Sequence, residues 1–183
     1  METLLRSNPG LSSRFSRHLE FIDYTPIELS QIFGLMCNKN HYHLRPLARA
    51  KVIVGLNYLY ARRGRHFGNG RTSRNTFEHA IRRMANRIAE IADLSVEQLT
   101  MLEPEDIEFK KVPREVFDDL ATNESLRFHI ECPECDYDKD VPHKFLGRSV
   151  RCPKCDHDFA AEWGALVEKE VECGSGQVED SSK

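Results

Sequence analysis

Four cysteines carry the most explicit chemistry in this chain: Cys132-x-x-Cys135 and Cys152-x-x-Cys155, with sixteen residues between the pairs. Each CxxC forms a tight knuckle that aims two thiolates at one point, and two knuckles complete a tetrahedral four-sulfur site of the kind that holds structural zinc. Pro133 and Pro153 stiffen both turns. The alternative, redox-active pairs, lacks the surrounding βαβ pattern that such pairs need. His129, His143 and His157 lie close by but are not required, because four cysteines close the site. The second chemical signal is arginine. Phe67-Gly68-Asn69-Gly70 is a turn that runs into a helix bearing Arg71 and Arg74 at its start. The helix dipole already places positive charge there, so arginines cost stability unless an anion is near. One reading is a seat for phosphate oxygens; the other is a solvated basic face.

These residues need elements to hold them. Phe77, Ile81, Met84, Ala85 and Ile88 recur on one face of the helix that Arg71 begins. Thr25-Pro26-Ile27-Glu28 predicts a helix start with N-cap, first-turn proline and capping box. Leu29, Ile32, Phe33 and Met36 form its apolar face, and Cys37 near its end reads as a small buried hydrophobe. A further helix spans roughly residues 46–63, with Ala48, Val52, Leu56 and Leu59 buried and Gly55 allowing close packing. Ser95 with Gln98 caps a short helix. Helices joined by short loops over residues 25–108 predict a small bundle. Residues 109–127 read as a linker, and 128–163 as a ribbon with short strands at Phe128–Ile130 and Ser149–Arg151. The acidic stretch 164–183, with Cys173, reads as a disordered tail. Leu19, Phe21, Ile22 and Tyr24 suggest a further short strand.

Charge is uneven. The net charge is -3, yet no acid occurs between Glu28 and Glu78, where Lys39, Arg45, Arg49, Lys51, Arg62, Arg63, Arg65, Arg71 and Arg74 fall. One face of the bundle should be positive. The chain shows no apolar run long enough to span a membrane and no signal peptide, so a cytoplasmic location is expected; cysteines there are metal ligands more often than disulfides.

Asn69-Gly70-Arg71, Arg74-Asn75, Phe77 and Ala85-Asn86-Arg87 resemble the sensor-2 helix of the CbxX/CfqX group of AAA+ ATPases, which includes red-type Rubisco activases. Ser7-Asn8-Pro9-Gly10-Leu11, Ser13-Arg14-Phe15 and Glu20-Phe21-x-Asp23-Tyr24 resemble the same group. The resemblance covers about residues 1–108. It implies a mainly α fold, a lid-type bundle over 25–108 preceded by the end of an ATPase core over 1–24, with the ribbon appended. It also implies roles: Arg14 as an arginine finger entering the neighbouring subunit's ATP site, and Arg71, with Arg74 second, at the nucleotide phosphates. A guanidinium suits both tasks because it stays charged and forks onto phosphate oxygens. Cys132, Cys135, Cys152 and Cys155 would hold Zn2+, and the bundle, with a core of its own, is expected to survive removal of that metal.

No G-x-x-x-x-G-K-[ST] occurs in the 183 residues, and no apolar strand ends in paired acids. ATP and Mg2+ are therefore expected only with an upstream ATPase core, and the chain reads as the C-terminal part of such an enzyme, working with other AAA+ subunits in a ring. A second reading is a stand-alone zinc-binding adaptor that contacts nucleic acid or a partner protein. Tyr137 and Phe145 are few aromatics for base stacking, which disfavours single-stranded nucleic acid.

Overall fold

The computed structural model describes residue 19 and residues 21–65, 67–123 and 125–168. Three helices lead: α1 (Pro26–Lys39), α2 (Pro46–Ala61) and α3 (Gly70–Ile88). The expected capping box starts α1. The Thr25 hydroxyl accepts the Glu28 amide, and the Glu28 carboxylate accepts the Thr25 amide at 2.7 Å. Between α1 and α2 runs β1 (His43–Leu44), and after α3 come α4 (Val96–Thr100) and β2 (Met101–Leu102). Ser95 and Gln98 complete the second capping box at α4. β1 and β2 pair in parallel, His43 opposite Met101 and Leu44 opposite Leu102, closing the bundle where its chain returns.

The bundle core collects Leu29, Phe33 and Cys37 from α1, Val52 and Leu56 from α2, and Phe77, Ala80 and Met84 from α3. Phe33 and Phe77 meet edge-on with centroids 5.8 Å apart. The buried Ser73 hydroxyl donates to the Leu29 carbonyl at 2.8 Å, tying α3 to α1. Ala80 supplies the buried small position on α3, while Ala85, expected on that face, is exposed. Helical spacing alone tolerates either, and packing against α1 selects Ala80.

After a 3-10 turn (Arg114–Phe117), the C-terminal part is strand-rich: β3 (Leu126–Glu131), β4 (Asp138–Val141), β5 (Ser149–Arg151), β6 (Asp158–Ala160) and β7 (Ala165–Glu168). β3 is the centre of an antiparallel sheet in the order β4-β3-β7, and β5 pairs with β6. The whole is thus a helical domain with a small strand-rich region, a more mixed composition than a mainly α reading implies.

Three expectations meet different structure. Phe109, Val112 and Leu120 of the stretch expected to be a linker are buried: Phe109 and Val112 join the bundle core, the Phe109 ring filling the space that a Cβ on Gly55 would need, and Leu120 joins the core shared with the strands. Residues 165–168, expected within a frayed tail, form β7, because β3 offers them a backbone edge. Residues 21–25 form no strand, having no partner among the described residues, and leave Phe21 and Ile22 exposed. The remaining tail, with Cys173, lies outside the described residues.

Candidate metal centre and arginine groove

The turn after β3 and the turn after β5 carry the two cysteine pairs. Each turn is closed the same way. The Cys132 amide donates to the Tyr137 carbonyl at 2.9 Å, and the Cys152 amide donates to the His157 carbonyl at 2.9 Å. In the second knuckle Asp156 adopts φ 57 and its amide donates back to Cys152 at 3.0 Å. A short polar residue tolerates this left-handed conformation better than most.

The four Sγ atoms lie within 4.8 Å of one another, with Cys132 to Cys155 and Cys135 to Cys152 both at 3.6 Å. A metal–sulfur bond of about 2.3 Å places tetrahedral sulfurs about 3.8 Å apart. The four thiols therefore fit one metal ion, and they form the single such group among the described residues. Desolvation pushes the Cys152 thiol up, but the amides of Cys155 and Lys154 and the neighbouring thiols outweigh it and bring it down to about 7. One sulfur is thus readied as thiolate. Within the same group the His157 amide works to lower the Cys155 thiol, but desolvation and the neighbouring thiols push it up to about 12; burial pushes Cys37, in the bundle core, up to about 12 as well.

His129 takes no part in the thiol site. It stands on β3 with Nδ1 2.9 Å from an Asp140 carboxylate oxygen. That hydrogen bond outweighs desolvation and, with Asp138 and Glu131 nearby, raises its pKa.

The arginine signal resolves into distinct roles. Asn69 precedes α3 with φ 48 and offers it no side-chain cap. Its amide group is used elsewhere: Oδ1 accepts the Tyr24 amide at 3.1 Å and Nδ2 donates to Asp23 at 3.0 Å. Asn69 thereby clips the chain entering α1 to the start of α3. The first turn of α3 contains no acid, and both Arg71 and Arg74 there are exposed.

Arg71 lines a cavity of about 710 Å³ together with Arg62, Arg63, Arg65, Lys110 and Lys111, whereas Arg74 is not part of its wall. Two acids, Glu78 and Glu108, line it as well, and Arg83 holds Glu108 at 2.7 Å. The groove is strongly positive and favours an anion. Arg14 lies outside the described residues. Arg87, quoted above only as part of a motif, forks onto the buried Asp106.

The sequence profile of the family described as "AAA lid domain" matches residues 25–117. The chain belongs to the AAA lid family. A protein CfxQ homolog of Guillardia theta is 38% identical over 110 residues, 58% of this chain and 36% of that protein. Protein CbbX of Cereibacter sphaeroides is 36% identical over 115 residues, 61% of this chain and 36% of its own length. The chloroplastic ribulose bisphosphate carboxylase/oxygenase activase of Cyanidioschyzon merolae is 42% identical over 89 residues, 48% of this chain and 29% of that protein. The chain spans about a third of the length of the curated relatives it matches. The matched lid ends at Phe117, past the point where helical patterning fades. No helix among the described residues is long and apolar enough to cross a membrane.

Proposed function

We propose that this lid works as the arginine-bearing part of a ring-forming AAA+ ATPase that remodels a protein substrate, and that Cys132, Cys135, Cys152 and Cys155 hold a structural zinc ion. The observation that carries the first half is Arg71, exposed at an uncapped helix start on the wall of a basic groove. A nucleotide phosphate there would meet the guanidinium and the positive end of α3 together. Arg74, one turn on and outside the groove wall, is the second candidate. Arg14 acts across the subunit boundary as the finger. The P-loop and the magnesium-binding acids come from an ATPase core, as no such motif stands in this sequence. Zinc, when bound, supplies cross-linking and no reaction step. The chain's own part is to present four sulfurs at tetrahedral separations and to hold one of them readily ionised.

Joined to a family ATPase core, the protein should hydrolyse ATP, while the chain alone releases no phosphate above background. Arg71→Ala should weaken nucleotide binding or turnover. Arg14→Ala should lower kcat about 10³-fold or more, the effect of removing an arginine finger. Mixing Arg14→Ala subunits with P-loop mutant subunits should restore activity if the finger acts in trans; absence of rescue in assembled mixed rings overturns that geometry. A second reading draws on the same groove. A stand-alone adaptor would use Arg62, Arg63, Lys110 and Lys111 to grip an anionic partner, and would do so equally well after Arg14→Ala.

A further inference from the structure

Helix α2 belongs to two cores at once. Ala48, Val52 and Leu56 face the lid core. Ala50, Ile53 and Val54, on the other side, pack into a second core with Phe128, Leu146 and Ala161 of the strand-rich region. A helix apolar on both sides is stable only when both sides are covered. A polar seat surrounds this contact. The Arg49 guanidinium donates to the Glu162 carbonyl at 3.1 Å and lies 5.0 Å over the Trp163 ring. Trp163 in turn sits so close to α1 that a Cβ on Gly34 would be 2.6 Å from its Nε1. Gly147, at φ 77, lets Arg49 pass where a Cβ would be 2.5 Å from its Nε. The ribbon is therefore seated on the lid.

The second core on α2 is built by segments that flank the cysteine pairs: Phe128 and Ile130 on β3, Leu146 after the 3-10 turn at 143–145, and Ala161 after β6. Ile130 is two residues before Cys132, and Leu146 precedes the β5 strand that leads to Cys152. The two-stranded β5–β6 hairpin, which lies between Leu146 and Ala161 and carries Cys152, is marginal by itself, and a structural metal supplies the folding energy of such a small module. We propose that the four-thiol centre is a metal-operated latch on the lid. Metal in the site holds the ribbon against α2. Its loss uncovers Ile53 and Val54, releases Arg49 from Trp163, and loosens the helix whose opposite face contributes Val52 and Leu56 to the lid core. Occupancy by a soft divalent cation thereby sets the rigidity of the arginine-bearing lid. The bundle is then not independent of the metal, contrary to the expectation drawn from its apolar pattern. This inference rests on the reading of the thiols as a metal site.

The test is hydrogen exchange on the full chain, loaded with zinc and then stripped with a chelator, with zinc counted in both samples. The expected result is faster exchange at residues 128–161 and, with it, at least about tenfold faster exchange at 50–54, the effect of uncovering a buried aliphatic side chain. Trp163→Ala, which leaves all four sulfurs in place, should keep zinc but give 50–54 fast exchange in both states. If zinc binds and its removal frees the ribbon while 50–54 stay protected, the latch is wrong and the metal reading stands. If no zinc binds and the ribbon is protected regardless, the metal reading falls and the latch with it.

Discussion

Arg87 forks onto Asp106: its Nε and Nη2 donate to the two carboxylate oxygens at 2.9 and 2.8 Å. Asp106 is 1% exposed and also accepts the Glu103 amide at 2.9 Å. This pair pins the last turn of α3 to the loop after β2, and the carboxylate has no route to water. Arg87→Met should destabilise the lid by about 3 kcal/mol, because a buried charge loses its partner. Asp106→Asn in the same background should recover part of that loss. Denaturant unfolding of the two single variants and the double variant checks this; strictly additive effects would contradict the pairing.

Gly55 should resist replacement by alanine. Alanine is favoured in a helix interior by about 1 kcal/mol. Its Cβ would nevertheless stand 2.3 Å from the Phe109 ring, and overpacking of that kind costs about 1–3 kcal/mol. Gly55→Ala is expected to lower Tm, and Phe109→Leu to shrink the penalty by giving the methyl room. A stabilised Gly55→Ala protein would show that the contact is slack.

Metal analysis of the purified chain should give one zinc per chain, and Cys152→Ser should abolish it. Thiolates, not thiols, bind the metal, so affinity should fall as the medium is acidified. Cys155 is pushed up to about 12 and Cys135 is raised, so metal must displace protons from them across the neutral range, and the loss steepens below about pH 7, where Cys152 is protonated too. Competition with a chromophoric chelator from pH 8 to 5.5 measures it.

His129 should titrate above its ordinary 6.5, with Asp140 as the first cause. Its folded pKa is raised, so the stability it contributes is fully present below 6.5 and is lost as pH rises through the folded value. Asp140→Asn should bring the titration back toward 6.5, as read from the imidazole proton shifts in NMR. An unmoved titration would place the cause elsewhere.

The sequence by itself determined the parts whose signals are local. A capping box needs Thr25 and Glu28 three residues apart, and a knuckle needs two cysteines around a tight turn. Both are written in consecutive residues and both stand in the structure. The helix that begins at Gly70 was legible for the same reason, since an apolar face repeats with the helical period. What only the tertiary structure decided involves residues far apart in the chain. Periodicity names one apolar face of α2, but Ala50, Ile53 and Val54 acquire their partners from residues beyond 119. The stretch 109–127 has no period of its own, so its buried Phe109 becomes visible only against Gly55. Arg87 and Asp106, nineteen residues apart, look like ordinary surface charges until the chain turns back. Arg71 and Arg74 lie one turn apart in the sequence, and the groove distinguishes them because its walls come from the end of α2 and the loop that follows it, from α3 and from residues 108–111. Local patterns reach about one turn or one hairpin, whereas a wall assembled from three segments depends on how those segments pack.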